Sequence, residues 1–125
     1  MRKHILLVDD EDDIREVAEI SLGMVGGWQV SSASSGIEGI AKALSARPDA
    51  ILLDVMMPDL DGPSTFRRLQ DDPMTRDIPV ILLTAKVQTA DRRRFEELGV
   101  AGMLTKPFDP MSLASQVAAI LARDG

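Results

Sequence analysis

Short apolar runs alternate with longer amphipathic segments five times along the chain, and few folds accommodate such a pattern. The first run is Ile5-Leu6-Leu7-Val8, followed by a helical pattern that sets Ile14, Val17, Ala18, Leu22 and Val25 on one face. Gly26-Gly27 then turns the chain into a weaker strand from Trp28 to Ala33. Ser35 and Glu38 have the spacing of a capping box, and the helix after them is expected to bury Ile37, Ile40, Ala41 and Leu44. The third run is Ala50-Ile51-Leu52-Leu53, and a helix beginning near Gly62-Pro63 buries Phe66 and Leu69. Pro79 leads into Val80-Ile81-Leu82-Leu83, and a helix through Phe95 and Leu98 ends at Gly99. The last strand is Ala101 to Leu104, after which Asp109-Pro110 opens a final helix as N-cap and first residue, with Leu113, Val117, Ile120 and Leu121 inward.

This is a (βα)₅ pattern of the α/β class. Three of the runs are unbroken apolar segments, as expected of parallel strands covered by helices on both faces. The second and fifth runs are more polar or contain glycine, which suits edge strands. The strand order 2-1-3-4-5, borrowed from the flavodoxin-like class of doubly wound parallel sheets, puts those two at the edges. At 125 residues the chain fits one domain over residues 1–125, with no repeat, linker or output domain apparent in it. No apolar stretch approaches the roughly 20 residues of a membrane helix, and no secretory signal is visible, so a cytoplasmic protein is expected. The absence of cysteine excludes disulfides and thiolate chemistry. A net charge of −6 argues against direct nucleic-acid binding. The basic run Arg92-Arg93-Arg94 reads as a solvated helix face or a docking surface.

In open parallel sheets, sites form beyond the carboxyl ends of the strands, so the residue after each apolar run matters most. The first run ends in Asp9-Asp10, the third in Asp54, the fourth in Thr84 and the fifth in Thr105-Lys106. Right-handed crossovers bring all of these to one edge. Three carboxylates facing one ammonium are unfavourable in a partly dry cleft unless a carboxylate protonates or a cation enters. Mg²⁺ is a hard cation suited to oxygen ligands and to phosphate chemistry. With it bound, Lys106 and the Thr84 hydroxyl would hold phosphoryl oxygens, and Asp54, on the central strand, is the natural nucleophile. Glu11, Asp12 and Asp13 are expected only to favour the N-terminus of the first helix. His4, Trp28 and Phe108 are expected to have structural or incidental roles.

The set Val8-Asp9-Asp10, Leu53-Asp54 with Met57-Pro58 and Gly62, Thr84-Ala85, and Lys106-Pro107-Phe108 resembles the response-regulator receiver family (the CheY-like superfamily) of two-component signalling. The resemblance covers essentially the whole chain. It implies that Asp9 and Asp10 hold Mg²⁺, with Asp10 the more direct ligand, and that Asp54 is both ligand and phosphoacceptor. The backbone carbonyl of Met56 would complete the protein ligands. Thr84 would bond the phosphoryl group and move toward it, and Lys106 would pair with it. The Lys106-Pro107 bond is expected to be cis, a form that only X–Pro bonds adopt cheaply. Ala85, Met103 and Pro107 are the accompanying switch positions. The phosphoryl donor would be a sensor histidine kinase or a phosphotransfer protein. The output would be a downstream protein or a second copy meeting the face of the fourth helix, fifth strand and fifth helix.

Two features depart from the commonest family pattern. Met103 stands where an aromatic residue is frequent; a flexible thioether can fill the same space but lacks a rigid ring. Met56 and Lys86 flank the site at positions that influence how long the phosphoryl group survives. Three rival readings fit the residues less well. A nucleotide- or flavin-binding module needs a glycine- or hydroxyl-rich phosphate loop after the first strand, where this chain has Asp9-Asp10-Glu11-Asp12-Asp13. A turnover phosphatase needs a general acid two residues after the nucleophile, where this chain has Met56. A degenerate receiver acting only through protein contacts would lack part of the site, and none is missing here. The expected protein accepts and loses its own phosphoryl group and is not a turnover enzyme.

Overall fold

The computed structural model describes residues 3–85 and 89–124. Its elements in order are β1 (His4–Val8), α1 (Asp12–Ile20) continued by a π-helical turn (Ser21–Val25), β2 (Gln29–Ala33), α2 (Gly36–Ala46), β3 (Ala50–Asp54), α3 (Gly62–Asp71), β4 (Val80–Thr84), α4 (Thr89–Leu98), β5 (Gly102–Thr105) and α5 (Leu113–Asp124). The strands form one five-stranded sheet in the order β2-β1-β3-β4-β5, and each neighbouring pair is parallel. The doubly wound sheet and its order are therefore as expected, with the two polar strands at the edges.

Alternation along the central strands feeds two separate cores. Ile5, Leu7, Leu52, Ile81 and Leu83 point to one face and pack with Ala18 and Leu22 and with Leu113, Val117 and Ile120 of α5. Leu6, Val8, Ile51, Leu53, Val80 and Leu82 point to the other and pack with Ala43 of α2, Phe66 and Leu69 of α3, and Phe95 of α4. Each fully buried Leu or Ile contributes roughly 1.5–3 kcal/mol. Because β1, β3 and β4 are apolar on both sides, they can lie only in the interior of the sheet. Trp28 and Phe108 pack against the first core, as anticipated. His4 bonds from its ring to Ser31 on the adjacent strand, 2.7 Å away.

Three local expectations fail. In α2 the buried residues are Gly36, Gly39 and Ala43, whereas Ile37 and Leu44 are exposed, as is Ala41. The helix lies so close to β1 that a Cβ on Gly39 would come within 2.8 Å of Val8 Cγ2. Small residues therefore face the sheet most closely, Ile40 packs half-buried beside them against the second core as expected, and Ile37 and Leu44 turn outward. In the first helix Ala18 and Leu22 are buried, but Val17 and Val25 are exposed. The turn at Ser21–Val25 is π-helical and takes up an extra residue, which rotates the stripe beyond it. Ser21 is buried there and donates its hydroxyl hydrogen to the carbonyl of Pro110. Finally, regular α5 starts at Leu113 rather than at Pro110. The Asp109 carboxylate accepts the Met111 N–H at 2.9 Å and holds residues 110–112 in a turn ahead of the helix. The capping box forms in part: Ser35 Oγ accepts the Glu38 N–H at 3.1 Å, while Glu38 reaches past the N-cap to the Ser34 N–H at 2.5 Å.

Candidate functional site

The carboxyl ends of β1, β3, β4 and β5 converge at one edge of the sheet. Register places Val8 beside Leu53, Asp54 beside Leu83 and Thr84 beside Thr105. The Lys106 N–H donates to the Thr84 carbonyl at 2.7 Å, which carries the strand pairing one residue further and brings the lysine to the site. The start of α3 crowds the end of β3: a Cβ on Gly62 would lie 2.5 Å from the Asp54 carbonyl oxygen. Only glycine allows that approach.

Asp9 is fully buried, and Asp54 is almost so. Asp9 Oδ1 accepts the Glu11 N–H at 2.9 Å, and Asp9 Oδ2 accepts from Lys106 Nζ at 3.0 Å. Arg15 donates to the Asp9 carbonyl at 2.6 Å and pairs with Asp12, so it ties α1 to the acidic loop. Asp54 Oδ1 accepts the Met56 N–H at 3.3 Å and lies 3.4 Å from Lys106 Nζ. Its other oxygen, Oδ2, is buried without a hydrogen-bond partner among the described residues. Lys106 also meets Glu11 Oε1 at 3.3 Å. Asp10 is exposed, yet one oxygen each from Asp9, Asp10, Glu11 and Asp54 can be chosen so that all lie within 4.8 Å of one another.

The charges are unbalanced. Burial, reinforced by the Asp9 carboxylate, pushes the Asp54 carboxyl up to about 6, against the opposing pull of Lys106 and the Met56 N–H. For Lys106 burial acts to lower the value. The hydrogen bond to Asp9 and the charges of Asp9 and Asp54 outweigh it, so the ammonium is held above its usual value. Lys106 gains from several carboxylates at once, whereas Asp54 receives only part of one cation. Four clustered carboxylates, one with a buried and unsatisfied oxygen, form a hard all-oxygen donor set that fits a divalent cation.

The other expected residues lie around this cluster. Thr84 is buried at the end of β4, and Ala85 after it is exposed. The Lys106-Pro107 peptide is cis, as expected, and Pro107 is exposed. The Met56 side chain points to solvent, 74% exposed. Met103 does not join the cluster. It pairs in register with Leu82 and packs, half-buried, against the core that contains Phe95 of α4. Arg92, Arg93 and Arg94 are exposed on α4, with the Arg94 guanidinium 4.9 Å from the centre of the Phe95 ring. Lys86 lies outside the described residues. Two participants were not foreseen. The sequence assigns Glu11 only a helix-terminus role, and its one signal is a glutamate at an N-cap, where Ser, Thr, Asp or Asn is usual. For Arg15 the sequence offers only the ordinary i,i+3 spacing to Asp12, and its contact with the Asp9 backbone carbonyl leaves no signal.

Comparison with known proteins agrees with this geometry. Residues 5–118 match the family described as "Response regulator receiver domain". The chain is 41% identical over 119 residues to the DNA-binding dual master transcriptional regulator RpaA of Synechocystis, covering 95% of this chain and 49% of that protein. It is 40% identical over 123 residues to the phosphate regulon transcriptional regulatory protein PhoB of Pseudomonas aeruginosa, covering 98% and 53%. The chain thus spans about half the length of these curated relatives. Among solved structures, chemotaxis protein CheY4 of Vibrio cholerae superposes with a TM-score of 0.89 at 29% identity, covering 96% of this chain and 99% of that one. The receiver domain of a signal transduction histidine kinase from Syntrophus aciditrophicus gives 0.82 at 36% identity, covering 97% and 91%. The chain belongs to the response regulator receiver domain family of two-component systems. It is a signalling module.

Proposed function

We propose that the domain takes a phosphoryl group onto Asp54 from the phosphohistidine of a sensor histidine kinase or phosphotransfer protein, in the cytoplasm. The observation that carries this reading is the state of Asp54: a buried carboxylate whose Oδ2 has no partner among the described residues, with a lysine ammonium 3.4 Å from Oδ1. In the transfer an Asp54 oxygen attacks phosphorus, the P–N bond breaks, and its electron pair returns to the donor imidazole. The product is an acyl phosphate. Asp9, Asp10, Asp54 and the Met56 carbonyl would hold Mg²⁺. Bound there, the cation would offset the charge of the carboxylates and of the phosphoryl oxygens. Lys106 and the Thr84 hydroxyl would bond the phosphoryl oxygens.

The cycle ends when water attacks phosphorus, which releases inorganic phosphate and regenerates the carboxylate. The domain is then a switch rather than a turnover catalyst. As Thr84 and Lys106 draw inward, the surface of α4, β5 and α5 would shift between states that already exist. Met103 supports that route because it joins β5 to the core beneath α4. Ala85 and Pro107 flank the two residues that move. The partner at this face would be a downstream output protein or a second copy of the domain. The names of the relatives point to transcriptional output, and the net charge of −6 on this domain argues that it does not itself contact nucleic acid.

The test is intact mass after incubation with acetyl phosphate, with and without Mg²⁺, for wild type and Asp54→Asn. The expected result is one added phosphoryl group that requires both Mg²⁺ and Asp54. If neither an adduct nor beryllofluoride binding were seen with Mg²⁺, the phosphoacceptor reading would be wrong.

A further inference from the structure

Glu11 occupies the N-cap position of α1 with extended backbone angles, φ −90° and ψ 118°, but its side chain makes no cap hydrogen bond. It crosses instead to Lys106 Nζ at 3.3 Å, joining the loop after β1 to the loop after β5. Lys106 is thus shared among Asp9 at 3.0 Å, Glu11 at 3.3 Å and Asp54 at 3.4 Å. These three contacts differ in how easily they break. Asp9 and Asp54 are buried, and a carboxylate stripped of its cation there would be left without water. The Glu11 side chain is 60% exposed, so water can take over from the lysine. An arriving phosphoryl group needs an ammonium, and Glu11 gives one up most cheaply.

We propose that Glu11 is the resting-state counter-ion of Lys106, and that capture of a phosphoryl group passes the lysine from Glu11 to the phosphoryl oxygens. The inference rests on the phosphoacceptor reading above. Glu11 is then a positioning residue acting through Lys106, and it opposes capture twice. It competes for the ammonium, and its own negative charge repels the incoming group. The fourth carboxylate of the cluster serves the lysine rather than the cation.

The test titrates beryllofluoride at saturating Mg²⁺, followed by fluorine NMR, in wild type, Glu11→Gln and Glu11→Asp. Mg²⁺ affinity is measured separately by calorimetry without beryllofluoride. Glu11→Gln should bind beryllofluoride about two- to fivefold more tightly, the range an exposed ion pair commands, with Mg²⁺ affinity changed by less than about twofold. Glu11→Asp keeps the charge at the helix terminus but is one methylene shorter, so it should lose the lysine contact yet keep the repulsion, and bind beryllofluoride more tightly than wild type but less tightly than Glu11→Gln. A helix-terminus role predicts instead that Glu11→Asp matches wild type. Unchanged or weaker beryllofluoride binding by Glu11→Gln would overturn the inference alone. So would a tenfold loss of Mg²⁺ affinity, which would make Glu11 a metal ligand. Failure of the wild type to bind beryllofluoride would overturn the phosphoacceptor reading, and this inference with it.

Discussion

Asp54 and Asp61 stand at the two ends of the connection between β3 and α3, and their environments push them in opposite directions. Asp54 is buried at the strand end beside Asp9, and its carboxyl is raised to about 6. Asp61 is exposed at the N-cap of α3 and accepts the Ser64 N–H at 2.8 Å, and that hydrogen bond lowers its value below the usual 3.8. One carboxylate has a buried oxygen without a partner among the described residues. The other is satisfied by the helix it starts and by water. An acidic residue with unmet bonding capacity destabilises the free protein and is available to a ligand, whereas a satisfied one mainly supports the fold. Residue type alone does not separate them, since both are aspartates that bound the same connection at one edge of the sheet.

The contrast is tested most severely by replacing Asp54. A carboxyl whose folded value lies above its unfolded value of 3.8 contributes stability at low pH that is lost as pH rises through about 6. The shift corresponds to about 3 kcal/mol at neutral pH. Asp54→Asn should therefore stabilise the metal-free protein by up to about 3 kcal/mol at pH 7.5 in urea unfolding, with the gain vanishing near pH 4. A variant no more stable than wild type at pH 7.5 would mean that burial of this carboxylate carries no cost.

Adding Mg²⁺ should relieve the same strain. At a hundred times its Kd the ion should stabilise the wild type by about 2.7 kcal/mol, visible as a rise in Tm. In Asp54→Asn the rise should shrink sharply, and in Asp61→Ala it should persist. Equal rises in all three proteins would remove Asp54 from the cation site.

Asp61→Ala should give the smallest effect, a loss of about 1 kcal/mol from the uncapped helix, with phosphorylation retained. The sign of its pH dependence is opposite to that of Asp54. A lowered carboxyl contributes stability above its unfolded value, and that contribution fades as pH falls through the lower folded value. A loss of phosphorylation in this variant that is not explained by unfolding would blur the distinction between the two aspartates.

Much of this was legible in the residues. Unbroken runs such as Ala50 to Leu53 and Val80 to Leu83 identify interior parallel strands, because only a strand covered on both faces tolerates apolar side chains at every position. Once the strands are parallel, Asp9, Asp54 and Lys106 must share an edge. The helices were harder to read, because helical periodicity selects the larger apolar side chains, and in α2 the close approach to Val8 reverses that choice in favour of Gly39 and Ala43. The π-helical turn after α1 was likewise invisible in the spacing, and so was the contact its Ser21 hydroxyl makes with the Pro110 carbonyl, far away in the sequence.

By itself, then, the sequence determined the class of sheet and which groups gather at its carboxyl edge, since both follow from local periodicity and chain direction. Only the tertiary structure decided how those groups divide the available charge. Glu11 turns from its helix to Lys106, Asp54 keeps an oxygen without a partner among the described residues, and Asp61 finds one. These outcomes depend on distances of about 3 Å between residues far apart in the chain and on how much water reaches each carboxylate, and neither is encoded in local spacing.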